Sequence, residues 1–232
     1  MRVAIMQPYF MPYIGYFQLM GSVDVFVIYD NIKYTKKGWI NRNRLLQNGG
    51  DAVFSLPLAS DSDSLDIAER SISPAFSGKK MLNVFRGAYA RAPNFSATYG
   101  LLEKIVCQEE RNLFRFLRKS VRDTAEYIGI PTRIVTSSDL AVDRELRSQD
   151  KVLAICKVLG ADTYVNAIGG QDLYSPGDFL QQGIALKFIR SRPFEYRQFG
   201  AAFVPWLSII DVLMFNPVDA VRSCVETHYD LI

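Results

Sequence analysis

The chain opens with a short apolar run, Val3-Ala4-Ile5-Met6, that meets Gln7-Pro8-Tyr9-Phe10-Met11-Pro12-Tyr13-Ile14-Gly15-Tyr16-Phe17. A run of this length, bounded by turn residues, predicts a buried strand of a parallel sheet. The loop after it then lies at a strand's carboxyl end, where open α/β sheets bind their ligands. An aromatic, proline-rich loop in that place either serves a ligand or plugs the end of the sheet. Residues 14–22 predict a short helix, and Val23 to Tyr29 a second buried strand. Strand, compressed helix and strand make the smallest unit of a Rossmann-like sheet.

Residues 39–58 read differently. Runs around Ile40–Leu46 and Val53–Leu58 flank Asn48-Gly49-Gly50-Asp51, which predicts a hairpin that extends the sheet or lies over it. Residues 59–75 are rich in Ser and Asp and read as loop, with a candidate strand from Ile67 to Ile72. Helical spacing covers 78–92 and then 96–128, where Leu101, Leu102, Ile105, Val106, Leu113, Phe116, Leu117, Val121, Ala125 and Ile128 share one face. Gly129 predicts the stop. A strand over 130–137, a helix over 148–159, a strand over 163–167, a helix over 175–183 and a strand over 184–190 follow. Residues 207–231 read mostly as helix. Such alternation predicts an α/β chain. The expected form is a Rossmann-like, mostly parallel sheet with a β-hairpin and a helical insertion at about 75–128, in one domain over 1–232.

Composition narrows the chemistry. With 49% hydrophobic residues among 232, the chain has ample material for a core. A net charge of +3 gives nucleic-acid binding little support. Cys107, Cys156 and Cys224 are too far apart for a zinc knuckle and odd in number for a disulfide framework. No run approaches the roughly 18 apolar residues of a membrane span. The first apolar stretch is broken by Pro8, so it does not read as a signal peptide. A soluble cytoplasmic protein is the default expectation. The sequence holds a single histidine, His228. Serine–histidine triads and multi-histidine metal sites therefore lack material, and no metal site is expected. Acid–base work falls to carboxylates, Lys, Tyr, Cys, a substrate group or that one imidazole.

Polar loops follow three of the predicted strands: Gln7–Tyr16, Asp30–Arg44 and Asn166–Tyr174. In a parallel sheet they converge on one edge, and together they suit an anionic, ring-bearing ligand. The second loop holds Lys33, Tyr34, Lys36, Lys37, Trp39, Asn41, Arg42 and Arg44. Plainer readings stand beside this one. Tyr9, Phe10, Tyr13 and Phe17 serve equally well as core, and Lys36-Lys37 as a solvated pair. Arg42 and Arg44 alternate with Asn41 and Asn43, so only one set faces a cleft. Gly169-Gly170 is first of all a tight turn, and no P-loop follows it. Cys224 and His228 share a helix face, which suits a mixed core and surface face better than a thiolate–imidazolium pair. Trp206, Val212 and Phe215 sit in an apolar segment that reads as core before it reads as a dimer face.

Four strings carry a resemblance. They are Ile5 to Leu19, Lys37-Gly38-Trp39-Ile40-Asn41-Arg42-Asn43-Arg44, Gly160 to Gly170, and Phe203-Val204-Pro205-Trp206-Leu207-Ser208-Ile209-Ile210-Asp211. In order and across essentially the whole chain, they closely resemble the WbqC-like family. That resemblance implies a place among bacterial surface-polysaccharide genes and a role as a glycine or other aminoacyl transferase in O-antigen synthesis. Tyr13-Ile14-Gly15-Tyr16 also looks like the His-x-Gly-His signature of nucleotidylyltransferase-like proteins, with tyrosine in both histidine places. Tyrosine donates a hydrogen bond to phosphate but carries no positive charge at neutral pH.

These readings lead to an expected transferase that adds an acyl or aminoacyl group, glycyl among them, to an amino sugar. Tyr13, Tyr16, Lys37 and Asp172 are the expected catalytic residues. Gln7, Tyr9, Phe10, Gly15, Trp39, Asn41, Arg42, Asn166, Gly169, Gly170 and Asp211 are the expected substrate-binding ones. Asp172 or Asp211 would take the amine proton, and the Gly169-Gly170 amides would face the oxyanion. The expected partner is a small molecule, a nucleotide-linked amino sugar, with an acyl-carrier protein as one source of the acyl group. The cofactor stays open between a nucleotide and an activated acyl donor. The alternative is a degenerate nucleotidylyltransferase-like module that binds a nucleotide or nucleotide sugar without catalysis.

Overall fold

The computed structural model describes residues 1–62, 64–200 and 202–232. In chain order the elements are β1 (Arg2–Met6), α1 (Ile14–Gly21), β2 (Val25–Ile28), β3 (Arg42–Gln47), β4 (Gly50–Ser55), α2 (Gly78–Tyr89), α3 (Phe95–Val106), α4 (Leu113–Ile128) and β5 (Arg133–Thr136). They continue with α5 (Ser148–Leu159), β6 (Thr163–Ala167), α6 (Pro176–Gln181), β7 (Ala185–Ser191), α7 (Ile209–Phe215), α8 (Val218–Thr227) and β8 (Tyr229–Leu231). Six strands form one sheet in the order β5-β2-β1-β6-β7-β8. Every pairing in it is parallel except β7 with β8. The fold is α/β and Rossmann-like, as the alternation predicts.

Period-two alternation splits the sheet between two cores. Ala4, Phe26, Ile28 and Val165 face one, with Ile14 of α1, Val225 of α8 and the apolar stripes of α2, α3 and α4. Val3, Ile5, Val25, Val27 and Tyr164 face the other, with Val152 and Ile155 of α5 and Phe179 of α6. The hairpin β3–β4 forms its own two-stranded sheet and lies over the first core through Leu45, Leu46 and Phe54. Its turn, Asn48-Gly49, has φ of +51° and +80°, as a two-residue hairpin turn requires.

Three expectations need correction. The helical stretch over 96–128 is two helices. Polar residues 107–112 interrupt the apolar spacing, and Asn112 caps α4 by accepting from the Arg115 amide at 3.0 Å. Residues 67–72 are not a strand but a 3-10 turn over Ile67–Glu69. Asp66 and Glu69 form a reciprocal capping box there, and Ile72 makes only an isolated bridge to Leu58. The C-terminal segment is broken at Pro217, which ends α7 and starts α8. Its end is strand β8, whose Leu231, Asp230 and Tyr229 pair with Ile189, Arg190 and Ser191.

One junction fixes the loop after β1. That loop holds Pro8 and Pro12, and Met11 adopts φ +45°, so its backbone cannot pair with itself. Asn43 supplies the missing donor: its Nδ2 reaches the Phe10 carbonyl at 3.2 Å and the Met11 carbonyl at 2.9 Å. Ser208 Oγ also donates to Met11 O, at 2.6 Å. The Phe10 amide donates to Ile40 O, and the Ser208 amide to Arg44 O. Loop, hairpin and the segment before α7 are thereby one unit. Asn43→Ala removes the donor to the Phe10 carbonyl and one of the two donors to the Met11 carbonyl, and should cost about 1–3 kcal/mol. Urea unfolding checks this, with the exposed Glu103→Ala within about 0.5 kcal/mol of the parent.

Candidate functional site

The sheet changes direction between β1 and β6. From β1 the chain runs through α1 on one face, and from β6 through α6 on the other. Such a switch point opens a crevice at the carboxyl ends of its two strands. Gln7 leaves β1 there, and Asn166 is the last residue but one of β6. Next to it, at the start of α1, lies a cleft of about 420 Å3. Tyr13, Ser191, Arg192, Glu195, Tyr196 and Trp206 line it, with Phe194 and Phe203. Its size and its mix of rings with a few polar groups suit a small ligand. A second cavity, of about 480 Å3, lies by the start of α2 and holds none of the expected residues.

The cleft is built by close approach. A Cβ on Gly15 would stand 2.8 Å from Ser191 Oγ, so a glycine there lets the end of β7 meet the first turn of α1. That first turn carries no acidic residue, and no side chain caps it. Its amides and dipole therefore favour an anion. Arg192 stands at the same end of β7, in an ion pair. It is held by Asp230, which accepts from Nε at 3.0 Å and Nη2 at 2.5 Å. Tyr13 packs on Trp206 with ring centroids 5.3 Å apart. Burial, and to a lesser degree the nearby Cys224, raises the Tyr13 phenol above its ordinary value. Tyr13 is thus a hydrogen-bond donor near neutrality and not a base.

Behind the cleft sits a buried carboxylate. Asp211 is fully buried and accepts from Tyr196 Oη at 2.6 Å, Gln198 Nε2 at 2.8 Å and Tyr89 Oη at 2.9 Å. Burial raises its pKa from 3.8, against those three hydrogen bonds, which lower it. Burial, followed by the Asp211 charge, raises the Tyr196 phenol. Asp211 therefore positions Tyr196, a cleft residue, and is itself out of a ligand's reach.

The other expected residues fall into separate places. Tyr16 points inward: its ring lies against Phe26 at 5.2 Å and its hydroxyl donates to the Gln7 carbonyl at 3.1 Å. Burial first, and then Tyr9, raises its pKa well above the ordinary value. Tyr9 is half-buried, 5.8 Å from the Tyr16 ring. Phe10 is core, packed on Phe54 and Phe116. Asn41 spends its side chain on Tyr34 Oη and the Leu56 carbonyl. Trp39 is exposed, with the Arg42 and Arg44 guanidiniums 5.8 and 5.5 Å from its ring centre. Arg42 donates to the carbonyls of Gly38 and Lys37, and Lys37 itself is exposed. On β3 the arginines face outward and Asn43 inward, which settles the alternation left open by the sequence.

The third loop joins the opposite face. Its Tyr174 packs on Tyr164 and Phe179. Asn166 is buried and accepts from the Ala167 amide. A Cβ on Gly170 would stand 2.5 Å from Asn166 Nδ2, so this glycine also serves a close approach. Gly169 and Asp172 are exposed. The first two loops thus meet each other, while the third flanks the crevice from the far side. Cys224 and His228 form no thiolate–imidazolium pair. Burial pushes the Cys224 thiol up to about 11, and His228 Nε2 meets the Pro193 carbonyl at 2.7 Å. The sequence pattern does not single out Ser191, Arg192, Glu195 and Tyr196, although they lie at or beyond the carboxyl end of a parallel strand, as the three polar loops do. Trp206, read first as core, is 60% exposed.

A group whose folded-state pKa lies above its unfolded one stabilises fully below the unfolded value and loses that contribution as pH rises through the folded value. For Asp211 this window opens at 3.8 and extends upward. Asp211→Asn removes that titration. Its stability relative to the parent should therefore rise between a pH below 3.8 and neutrality, in paired urea unfolding curves.

A model described as the WbqC-like protein family matches residues 7–223. An uncharacterized protein of Mycobacterium tuberculosis is 28% identical over 218 residues, spanning 93% of this chain and 93% of its own. No solved structure matches the chain.

Proposed function

We propose that this chain, which belongs to the WbqC-like protein family, transfers an acyl or aminoacyl group to the amine of a nucleotide-linked sugar. Membership of that family suggests a role in polysaccharide gene clusters. The observation that carries the reading is the cleft at the start of α1, where rings, one arginine and one carboxylate converge. Rings receive the sugar or base, and Arg192 with the α1 amides receives phosphate. In the reaction the neutral amine attacks the acyl carbonyl, forming the C–N bond. The bond from that carbonyl to its leaving group, the thiolate of a thioester or the phosphate of an acyl phosphate, breaks. The proton shed by nitrogen goes to Glu195, and the Tyr13 hydroxyl donates to the oxyanion. Glu195 takes the place expected for Asp172 or Asp211, because it lines the cleft, whereas Asp211 is sealed. Lys37 and Trp39, before β3, and Arg42, at its start, stand outside that lining.

Purified protein is mixed with a nucleotide-linked amino sugar and an activated acyl donor, and amide product is followed by mass spectrometry. Glu195→Gln should lower turnover by about 10²–10⁴-fold while keeping the thermal shift given by the sugar nucleotide. Stabilisation by the sugar nucleotide with no amide from any donor would instead support the non-catalytic module.

A further inference from the structure

The chain has two tryptophans, and both are exposed: Trp39 by 42% and Trp206 by 60%. Large rings of this kind are highly buried on average, so an exposed pair calls for a cause. Arg44 connects them. Its guanidinium lies 5.5 Å from the Trp39 ring centre, and its Nη2 donates to the Trp206 carbonyl at 3.1 Å. Trp206 is also held at φ +62°, a conformation unfavourable to a residue with a side chain. The fold thus maintains an exposed indole in a strained backbone at the mouth of the cleft. Trp39 extends that ring surface to the start of the hairpin, where Arg42 lies beside it.

Charge selects the occupant. Arg44 is balanced by Asp51 at 3.3 Å. Arg42 spends donors on two carbonyls, which leaves its charge uncompensated by them. A short basic spot beside two rings suits a pyranose that bears one anionic group. It is too small for a nucleic-acid strand, whose binding needs several phosphate contacts.

We propose that the surface from Trp206 across Arg44 to Trp39 is a subsite for an anionic saccharide, with sugar rings on the indoles and a phosphate or carboxylate at Arg42. The inference rests on the transferase reading of the adjoining cleft: the subsite holds the part of the acceptor that extends beyond it.

Indole emission reports on this surface directly, because the chain's tryptophans all lie on it. Titrations use N-acetylglucosamine 1-phosphate, an oligogalacturonate, neutral chitotriose and single-stranded oligothymidylate. At least one anionic sugar should change the emission and bind tenfold or more tighter than chitotriose. The phosphate and carboxylate arms tell which anion is favoured. Arg42→Lys should reduce that preference severalfold, and Trp39→Phe should remove part of the response, both with unchanged thermal unfolding. Oligothymidylate binding tighter than every saccharide overturns the proposal. Equal binding of charged and neutral sugars, or no emission change with any sugar, also overturns it. A clear indole titration without amide formation sinks the transferase reading alone. Amide formation with an unchanged KM in both variants sinks the subsite alone.

Discussion

The Met11 carbonyl accepts two hydrogen bonds, from Asn43 on the hairpin and from Ser208 before α7. Much of the molecule's functional geometry depends on that one acceptor. The loop after β1 has two prolines and a residue at φ +45°, so it cannot satisfy its own backbone. Leaving such groups buried and unpaired costs more than any single contact in the loop returns. The hairpin solves this by turning Asn43 inward. The same strand alternation then turns Arg42 and Arg44 outward beside Trp39. Ser208 solves it from the other side and thereby fixes Trp206, two residues earlier, at the cleft mouth. Ring surface, arginines and cleft therefore share a structural cause.

The sheet was legible because its strands announce themselves by burial. Val25 to Ile28 and the run before Gln7 are apolar at every position, as strands covered on both faces must be. Asn48-Gly49 and Gly129 were legible because only a few residues accept positive φ. Strand β8 was not. Tyr229 to Leu231 is three residues long, and β7, its hydrogen-bond partner, supplies the reason to be extended. The break at 107–112 was visible in principle as a polar interruption, yet the apolar spacing resumes in phase beyond it.

The site was half legible, and the division has a physical reason. Sequence shows residue type and strand-end position, which draw attention to Tyr13 and Gly15 beside the cleft. It does not show direction. Tyr13 and Tyr16 belong to the same motif, but Tyr13 is the extended residue before α1 and faces the cleft, whereas Tyr16 lies in the first turn of α1 and faces the sheet. Asp211 and Glu195 are both carboxylates in the C-terminal part. One is closed off by Tyr196, Gln198 and Tyr89, and the other is open. Only the packing of distant segments separates such pairs.

Protonation completes the division of labour. Burial raises the phenols of Tyr13 and Tyr196, so both remain donors at neutral pH. Asp211 strengthens that state by accepting the Tyr196 proton without taking it. The charged side chains that line the cleft are Arg192 and Glu195. Arg192 is itself anchored to Asp230 on β8, the strand that closes the sheet beside β7. The last residues of the chain therefore hold the cation of a cleft whose aromatic wall begins at residue 13, and the sheet between them sets their spacing.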